Sequence, residues 1–328
     1  MKEIRLGTIG SGFIVHNILD NVAVTDGIRL EAVYSRKEAT GKALAEKYGA
    51  QKVYTDMDAF LSDADIDLVY IATPNLLHYE QAKKALLAGK NVLLEKPFCT
   101  KAEHARELVQ IAKERGLYLI DAVPPAFGEN FEIVKRELPK LGRIRLVMSN
   151  FSQYSSRYDK FLNDELPNIF NPELAGGCLM DINFYNVYLN IALFGKPEEA
   201  VYYPNINKGL IDTSGSVILK YPDFVSQNAG AKDTWGINFF QIEGEKGYIY
   251  IKDGAGVLTD VRVVTKEGET LYNEQPKPDR WYYEVQKVTE LLLNGDRAAF
   301  ERGLDVMLNT VEVMERMRRK ASIVFPMD

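Results

Sequence analysis

The segment Val92-Leu93-Leu94-Glu95-Lys96-Pro97-Phe98 joins a short apolar run to an acid, a base and a proline. The apolar run follows Gly89-Lys90-Asn91 and predicts a buried parallel strand at 92–95. In open α/β sheets ligands bind beyond the carboxyl ends of the strands, which is where Lys96 would lie. Pro97 fixes its own φ and disfavours helical geometry at Lys96. Taken alone, the segment favours an ordinary surface lysine, but the flanking sequence changes that interpretation.

Strands and helices alternate along the first third of the chain. Strands are predicted at 4–9, 28–34, 52–54, 67–72, 92–95 and 117–121, and helices at 14–22, 39–48, 57–61, 76–88 and 102–115. Such alternation indicates a doubly wound parallel sheet with right-handed crossovers. We therefore expect a dinucleotide-binding Rossmann domain at 1–122.

Strands dominate the rest of the chain. They are predicted at 143–153, 214–221, 224–230, 237–243, 247–251 and 257–264, and helices at 129–138, 176–194, 281–293 and 298–320. Short connections between strands favour an antiparallel sheet. Residues 123–328 are thus expected to form an α+β domain for substrate binding and oligomerisation, with a C-terminal helix that could pack back on the first domain.

A glycine turn, Gly10-Ser11-Gly12-Phe13-Ile14, separates the first strand from the first helix. Glycines at this place let the backbone approach a pyrophosphate, which the helix N-terminus favours electrostatically. The dinucleotide fingerprint has a third small residue where this chain has Val15, so we expect a slightly wider contact between helix and strand.

The end of the second strand carries Ser35, Arg36 and Lys37. NAD-selective sites place an acid here to bind the ribose 2′-hydroxyl, whereas a hydroxyl and two cations suit a 2′-phosphate. Glu31 is near the right position but falls inside the strand. We therefore expect NADP(H), with NAD(H) as the alternative; a solvated basic loop also fits these three residues.

Composition narrows the class of protein further. A net charge of -6 argues against a nucleic-acid groove or an anionic membrane surface as partner. Two cysteines, no apolar span of membrane length and a first segment unlike a signal peptide fit a reducing cytoplasm. The three histidines show no metal-ligand spacing with either cysteine, so we expect no metal site.

Four motifs together resemble the Gfo/Idh/MocA oxidoreductase family. They are Gly10-Ser11-Gly12-Phe13-Ile14, Ala72-Thr73-Pro74-Asn75 with His78, Glu95-Lys96-Pro97-Phe98, and the segment from Gly176 to Tyr185. The resemblance implies a nucleotide domain followed by an antiparallel sheet, whose open face often forms a subunit interface, and hence a homodimer or homotetramer. It also implies hydride transfer between nicotinamide and a sugar, polyol or related carbinol.

The resemblance also implies roles for individual residues. Lys96 would hydrogen-bond the reacting oxygen, and Asp181 would orient the substrate. Inositol-dehydrogenase-like members have a histidine four residues after that acid, where this chain has Tyr185. The tyrosine resembles the glucose–fructose oxidoreductase and dihydrodiol dehydrogenase branches, and it argues against inositol itself as substrate. The implied cofactor-binding residues are Gly10, Gly12, Phe13, Ile14, Thr73, Pro74, Asn75, His78, Lys96, and Glu95 near the nicotinamide ribose, beside Ser35 and Arg36.

The chemistry of these side chains supports the assignment independently. Asp181 and Tyr185 are four residues apart, so on a helix they share one face. An ammonium beside a phenol favours the phenolate, so Lys96 would make Tyr185 a better base. The alternative is that Tyr185 packs in the core with its hydroxyl bonded to a carbonyl.

Further polar and aromatic residues remain open between two interpretations. Tyr154, Arg157 and Tyr158 could contact substrate or form an ordinary loop. Asn183 and Asn186 could bind hydroxyls or act as caps, and Trp235 could stack on a sugar or close the core.

The sequence therefore predicts a cytoplasmic NADP(H)- or NAD(H)-dependent dehydrogenase acting on a carbohydrate-like alcohol or its ketone. Within the family, the alternatives are an aldose–aldose oxidoreductase or a sugar hydrolase that retains its nucleotide. Outside enzymes, the alternative is a regulatory protein that binds NAD(P) without turnover.

Overall fold

A computed structural model describes residues 3–277 and 279–328 of the chain. The chain divides into two compact units, Met1–Val123 with Asp279–Leu308 and Pro124–Pro278 with Asn309–Asp328. The sequence assigned residues 279–308 to the second domain and allowed a C-terminal helix to pack back on the first; here these residues group with the first unit.

The first unit is an open parallel sheet flanked by helices. Its strands are β1 (Ile4–Ile9), β2 (Ile28–Tyr34), β3 (Lys52–Tyr54), β4 (Leu68–Ile71), β5 (Asn91–Glu95) and β6 (Leu119–Ala122), and its early helices are α1 (Phe13–Val22), α2 (Glu38–Tyr48), α3 (Met57–Ser62), α4 (His78–Leu87) and α5 (Ala102–Glu114). The strand order β3-β2-β1-β4-β5-β6, all parallel, confirms the doubly wound sheet. The order reverses between β1 and β4, and ligands of such sheets bind beyond that point.

The helix α9 (Arg280–Asn294) completes this unit by packing against α1. Asn21 of α1 donates a hydrogen bond to the Asp279 carboxylate (2.7 Å), and Asp279 in turn accepts from the N–H of Trp281 (3.0 Å) at the start of α9. This N-cap fixes where α9 begins. The following helix, α10 (Arg297–Lys320), contributes to both units.

The second unit is built on an eight-stranded sheet. Its helices are α6 (Glu129–Glu137), α7 (Tyr158–Leu162) and α8 (Phe184–Phe194), and its strands are β7 (Ile144–Ser152), β8 (Glu199–Asn207), β9 (Ile211–Lys220), β10 (Val225–Ala231), β11 (Phe239–Gly244), β12 (Gly247–Lys252), β13 (Val261–Thr265) and β14 (Gly268–Tyr272). The strand order is β14-β13-β12-β11-β7-β10-β9-β8. Every neighbouring pair is antiparallel except β7 with β10, which confirms a mostly antiparallel sheet.

Sequence patterns missed the two edge strands, β8 and β14. Pro204 lies inside β8, and proline normally argues against a strand because it cannot donate to the ladder; at an edge this is tolerated. β14 is short and mostly exposed, so it has no alternation of apolar and polar residues to detect. Among the described helices, none has the length and apolar character needed to cross a membrane.

Candidate active site

The turn after β1 brings the backbone close to the end of β4. Gly10 has φ +126°, and a Cβ there would lie 2.5 Å from the carbonyl oxygen of Ala72. Any side chain at this position would therefore collide with the backbone and strain the turn. Gly10 thus lets the turns that follow β1 and β4 meet at the reversal of strand order.

Helix α1 presents an open N-terminus at this place. It begins at Phe13 after the N-cap Gly12. No side chain among the described residues caps it, and its first turn holds no acidic residue. Backbone N–H groups at such an end favour an anion. Phe13 is 71% exposed beside them, whereas Val15 is buried in the unit's core. These features fit the pyrophosphate of a dinucleotide.

The end of β2 carries positive charge. Ser35 Oγ donates to the carbonyl of Lys37 (2.9 Å) and so tightens the turn, while Arg36 and Lys37 are exposed. Glu31 is buried within β2, and its carboxylate pairs with the guanidinium of Arg29 (2.6 Å). The Glu31 carboxylate is therefore paired within the strand and not at the turn that follows it. The residues of that turn suit a 2′-phosphate.

His78 joins the turns that follow β4 and β5. Its Nδ1 lies 3.0 Å from the carbonyl oxygen of Pro97, and its Nε2 lies 2.9 Å from that of Thr73. Burial lowers the pKa of His78, and the charge of Lys96 acts in the same direction, although the two carbonyls favour protonation. A neutral ring can donate to only one of these carbonyls. His78 is fully buried, so its contacts with the two carbonyls hold these turns together from inside the protein.

Glu95 and Lys96 lie where β5 leaves the sheet. Glu95 is buried and accepts a hydrogen bond from the hydroxyl of Tyr70 (2.6 Å). Burial raises the pKa of Glu95, while that hydrogen bond and the ammonium of Lys96 oppose the rise. Lys96 itself is half-buried, and the Lys96–Pro97 peptide bond is cis. Lys96 is thus a partly accessible cation at the carboxyl end of the sheet.

Two further acids near Glu95 were not found from the sequence. They are Asp121, near the end of β6, and Glu284, on α9; their carboxylate oxygens are buried and accept no hydrogen bond from the described residues. Burial raises the pKa of both well above its usual value, and Glu95 adds to the rise; Lys96 opposes it at Asp121 and Arg280 at Glu284. Asp121 could have been recognised from the sequence as a polar residue near the end of a predicted strand. Glu284 could not, because it is 189 residues from Glu95 and no sequence pattern indicates that the two lie close together.

In the second unit, Asp181 lies on a π-helical turn, Leu179–Asn183, that precedes α8. The backbone N–H of Leu179 donates to Asp212 Oδ2 (2.7 Å), which also accepts from the hydroxyl of Tyr202 (2.7 Å). Gly177 has φ +111°, and a Cβ there would collide with the Asp212 carboxylate. The helix expected around Asp181 is thus π-helical, and so wider than an α-helix, over Leu179–Asn183. π-turns of this kind occur frequently at functional sites.

Tyr185 follows in the first turn of α8. Its ring makes edge-to-face contacts with Phe151 (5.8 Å between centroids) and Phe184 (5.6 Å), and the residue is 7% exposed. The aromatic packing therefore fixes the ring, and a small part of the residue remains accessible.

The two asparagines beside these residues have structural roles. Asn183 and Asn186 are fully buried, and Asn186 donates to Asn183 Oδ1 (3.0 Å) and to the carbonyl of Ala229 (2.9 Å). They tie the helix to β10, which favours the structural interpretation over binding of substrate hydroxyls. Trp235 is 79% exposed and stacks on Tyr154, so it does not close the core.

Neither cysteine nor metal chemistry has support in the described ranges. Cys99 and Cys178 are buried, and burial raises the pKa of both thiols, which disfavours a nucleophilic role. Within residues 3–277 and 279–328, no group of three or more His, Cys, Asp or Glu could hold a metal ion.

The sequence-derived residues thus fall into two sets. The first unit holds all the candidate cofactor-binding residues and Lys96, gathered at the ends of β1, β2, β4 and β5. The second unit holds Asp181 and Tyr185.

Comparisons with known proteins identify the family. Residues 4–121 match the model of an oxidoreductase family with an NAD-binding Rossmann fold, and residues 138–250 match the GFO/IDH/MocA C-terminal domain. The chain is 33% identical to the NADP(+)-dependent scyllo-inositol 2-dehydrogenase IolU of Bacillus subtilis, over 99% of each protein. It is 27% identical to the trans-1,2-dihydrobenzene-1,2-diol dehydrogenase of Sus scrofa, over 90% of each.

Among solved structures, the fold is similar to that of KijD10, a 3-ketoreductase from Actinomadura kijaniata in complex with NADP and TDP-benzene. The TM-score is 0.83 over 97% of both chains, at 22% identity. At this level of sequence identity, the comparison shows similarity of the fold alone.

Proposed function

The chain belongs to the Gfo/Idh/MocA oxidoreductase family, and from this premise we propose that it interconverts a secondary alcohol and a ketone of a cyclic polyol or sugar with NADP(H). It is a nicotinamide-dependent oxidoreductase that acts on CH–OH groups. The observation that carries the proposal is Lys96 at the carboxyl end of β5, beside the reversal of strand order where dinucleotides bind in this fold.

The first unit supplies the residues for the cofactor. The open N-terminus of α1 would bind the pyrophosphate, and Ser35 with Arg36 would bind the 2′-phosphate of NADP. Thr73, Pro74 and Asn75 follow β4, and Glu95 ends β5, so these residues would line the nicotinamide ribose. When bound, the cofactor supplies or accepts the hydride.

The remaining chemistry falls to three side chains. Lys96 would donate a hydrogen bond to the reacting oxygen and stabilise the negative charge that develops there. Tyr185 would give that oxygen a proton in reduction, or remove one in oxidation, through its hydroxyl. Asp181 would accept a hydrogen bond from another hydroxyl of the substrate and so orient the ring.

The proposed substrate class includes cyclic polyols. Tyr185, in place of a histidine, argued against inositol on the sequence alone. IolU, similar to this chain over 99% of its length, is named for scyllo-inositol, and the dihydrodiol dehydrogenase acts on a ring with adjacent hydroxyls. The compounds in both names are rings with oxygens on neighbouring carbons. A hydrogen-bond acceptor such as Asp181 beside a proton donor suits two neighbouring oxygens.

We also propose a cytoplasmic homodimer or homotetramer that associates through the eight-stranded sheet. Tyr203, Tyr248 and Leu271 on its strands are exposed aromatic or apolar side chains. Light scattering after gel filtration should give two or four times the chain mass, and a monomer at micromolar concentration would contradict this.

Turnover with a defined panel tests the function. Purified protein is mixed with NADPH or NADP⁺ and with myo-inositol, scyllo-inositol, their inososes, aldoses and a trans-dihydrodiol, and absorbance at the nicotinamide band is followed. We expect turnover of at least one vicinal polyol or its ketone, reduced about 10²-fold or more in Lys96→Met because a preorganised charged donor is lost. Near-normal turnover in Lys96→Met would remove Lys96 from the mechanism.

Two other outcomes would redirect the proposal. Nucleotide that survives gel filtration and is turned over without exchange would favour an aldose–aldose oxidoreductase. Binding of NADPH without turnover of any compound on the panel would favour a regulatory protein.

A further inference from the structure

Lys232 is a buried cation just beyond β10 that sequence patterns did not reveal. Only 1% of its side chain is exposed, and lysine is almost never buried to this extent without a charged partner. Its backbone is fixed on both sides, because its N–H donates to the carbonyl of Thr213 (2.8 Å) and its carbonyl accepts from the N–H of Ser155 (2.9 Å). The backbone that carries the ammonium is thus hydrogen-bonded on both sides.

The charged partner is Asp181. Lys232 Nζ forms an ion pair with Asp181 Oδ2 and lies 5.3 Å from the centroid of the buried Phe170 ring. The ring adds cation–π attraction that helps to hold the ammonium in place. Asp181 keeps 31% of its side-chain surface exposed. The pair therefore connects a fixed internal cation to a carboxylate that solvent still reaches.

We propose that Lys232 is a positioning residue, which holds the Asp181 carboxylate in one orientation to accept a hydrogen bond from a substrate hydroxyl. The inference rests on the proposed function, because it takes Asp181 as a substrate-binding residue. Lys232 is too deeply buried to touch the substrate. A carboxylate with one oxygen held by a fixed ammonium loses rotational freedom before the substrate binds, which preorganises the site.

Other titratable groups near Lys232 have their own contacts or are uncharged. Asp212 accepts hydrogen bonds from Leu179 and Tyr202, and Asp233 accepts from the hydroxyls of Thr213 (2.6 Å) and Ser214 (3.1 Å). The buried thiol of Cys178, whose pKa is raised by burial, is neutral. The competing explanation is that Lys232 only offsets the charge of buried Asp212, in which case its removal would act on stability and not through Asp181.

A double-mutant cycle separates these explanations. The variants are Lys232→Met, Asp181→Asn and the combination of both, assayed for kcat/KM on the best panel substrate and for the NADPH dissociation constant. Lys208→Met is the matched control, because this exposed lysine of the same unit also pairs with an acid, Asp164 (2.5 Å), and lies 5.3 Å from an aromatic ring, that of Phe161.

If the proposal is right, Lys232→Met lowers kcat/KM about 10²-fold, the size expected when a reacting group is misplaced. NADPH binding and the Lys208→Met control should stay within about threefold of the unmodified protein. In the Asp181→Asn background, the same lysine substitution should change kcat/KM less than about threefold, since its partner is already gone.

Three results would overturn the proposal. They are near-normal kcat/KM in Lys232→Met, a loss just as large when Asp181 is already asparagine, or normal activity in Asp181→Asn. The last would also remove Asp181 from the proposed mechanism, whereas the first two would leave that mechanism intact. If Lys232→Met alone fails to fold, the double variant compared with Asp181→Asn decides in the same way, because removing both charges avoids a buried unpaired ion.

Discussion

Replacing Asp212 by asparagine should remove a pH dependence from the stability of the second unit. Asp212 is fully buried, and burial raises its pKa to about 6, against the hydrogen bonds from Leu179 and Tyr202 and the charge of Lys232. Asparagine cannot ionise, but its side-chain oxygen can still accept both hydrogen bonds. The substitution therefore changes the titration more than the packing.

The magnitude follows from the displacement of this pKa. The ordinary value is 3.8, so between pH 3.8 and about 6 the folded protein holds a proton that the unfolded chain has released. The contribution of Asp212 to the free energy of unfolding is complete below pH 3.8 and is lost as the pH rises through 6. At about 1.4 kcal/mol per pH unit, the loss is roughly 3 kcal/mol.

Urea unfolding followed by circular dichroism at a series of pH values measures this change. The free energy of unfolding of Asp212→Asn, minus that of the unmodified protein, should rise by roughly 2–3 kcal/mol from pH 4 to pH 7. Asp223→Asn is the control, because it removes one carboxylate at an exposed turn and changes the net charge equally.

A difference that stays constant from pH 4 to pH 7 would refute the reasoning, since Asp212 would then titrate alike in both states. A difference that falls with pH would show instead that the native contacts favour the carboxylate more than burial disfavours it.

The remaining predictions concern the proposed catalytic residue, the cofactor and the buried acids. Tyr185→Phe keeps the ring packed on Phe151 and Phe184, so the melting temperature should change little while kcat falls about 10²–10⁴-fold, and an unchanged kcat would exclude the hydroxyl as acid–base group. Arg36→Asp should weaken NADPH binding by roughly 1–3 kcal/mol in a fluorescence titration and spare NADH, whereas tighter binding of NADH by the unmodified protein would reverse the cofactor assignment. Glu284→Gln removes an acid whose pKa is raised by burial, so the protonated form stabilises the fold below about pH 4.5 and this contribution is lost at higher pH. The melting temperature of the variant should therefore rise relative to that of the unmodified protein as the pH increases. A difference in melting temperature that does not change with pH would contradict this prediction.

The arrangement of the first sheet could be predicted because its signals are local. Each strand is a short apolar run next to a helix with a clear start or end, as where Asp56 accepts a hydrogen bond from the N–H of Ala59 (2.7 Å) to cap α3. The second sheet was predicted less completely. Its edge strands lack apolar alternation, and the parallel pairing of β7 with β10 joins segments separated by more than seventy residues.

The candidate site divides in the same way. The cofactor-binding part could be located from the sequence, because its glycines, cation and proline directly follow predicted strands. In a parallel sheet the carboxyl ends of the strands share one edge, so these residues are expected close together. Asp181 was recognised, but the turn that carries it was expected to be α-helical and is π-helical.

The sequence by itself determined the doubly wound nucleotide unit, the positive turn after β2 and the identity of Lys96, Asp181 and Tyr185 as candidates. Only the tertiary structure decided which charged side chains lie close enough to interact. Lys232 meets Asp181 across 51 residues, and Glu284 reaches the acids at the strand ends from a helix that the sequence assigned elsewhere. Burial and long-range contact decide these pairings, and neither leaves a pattern in the neighbouring residues.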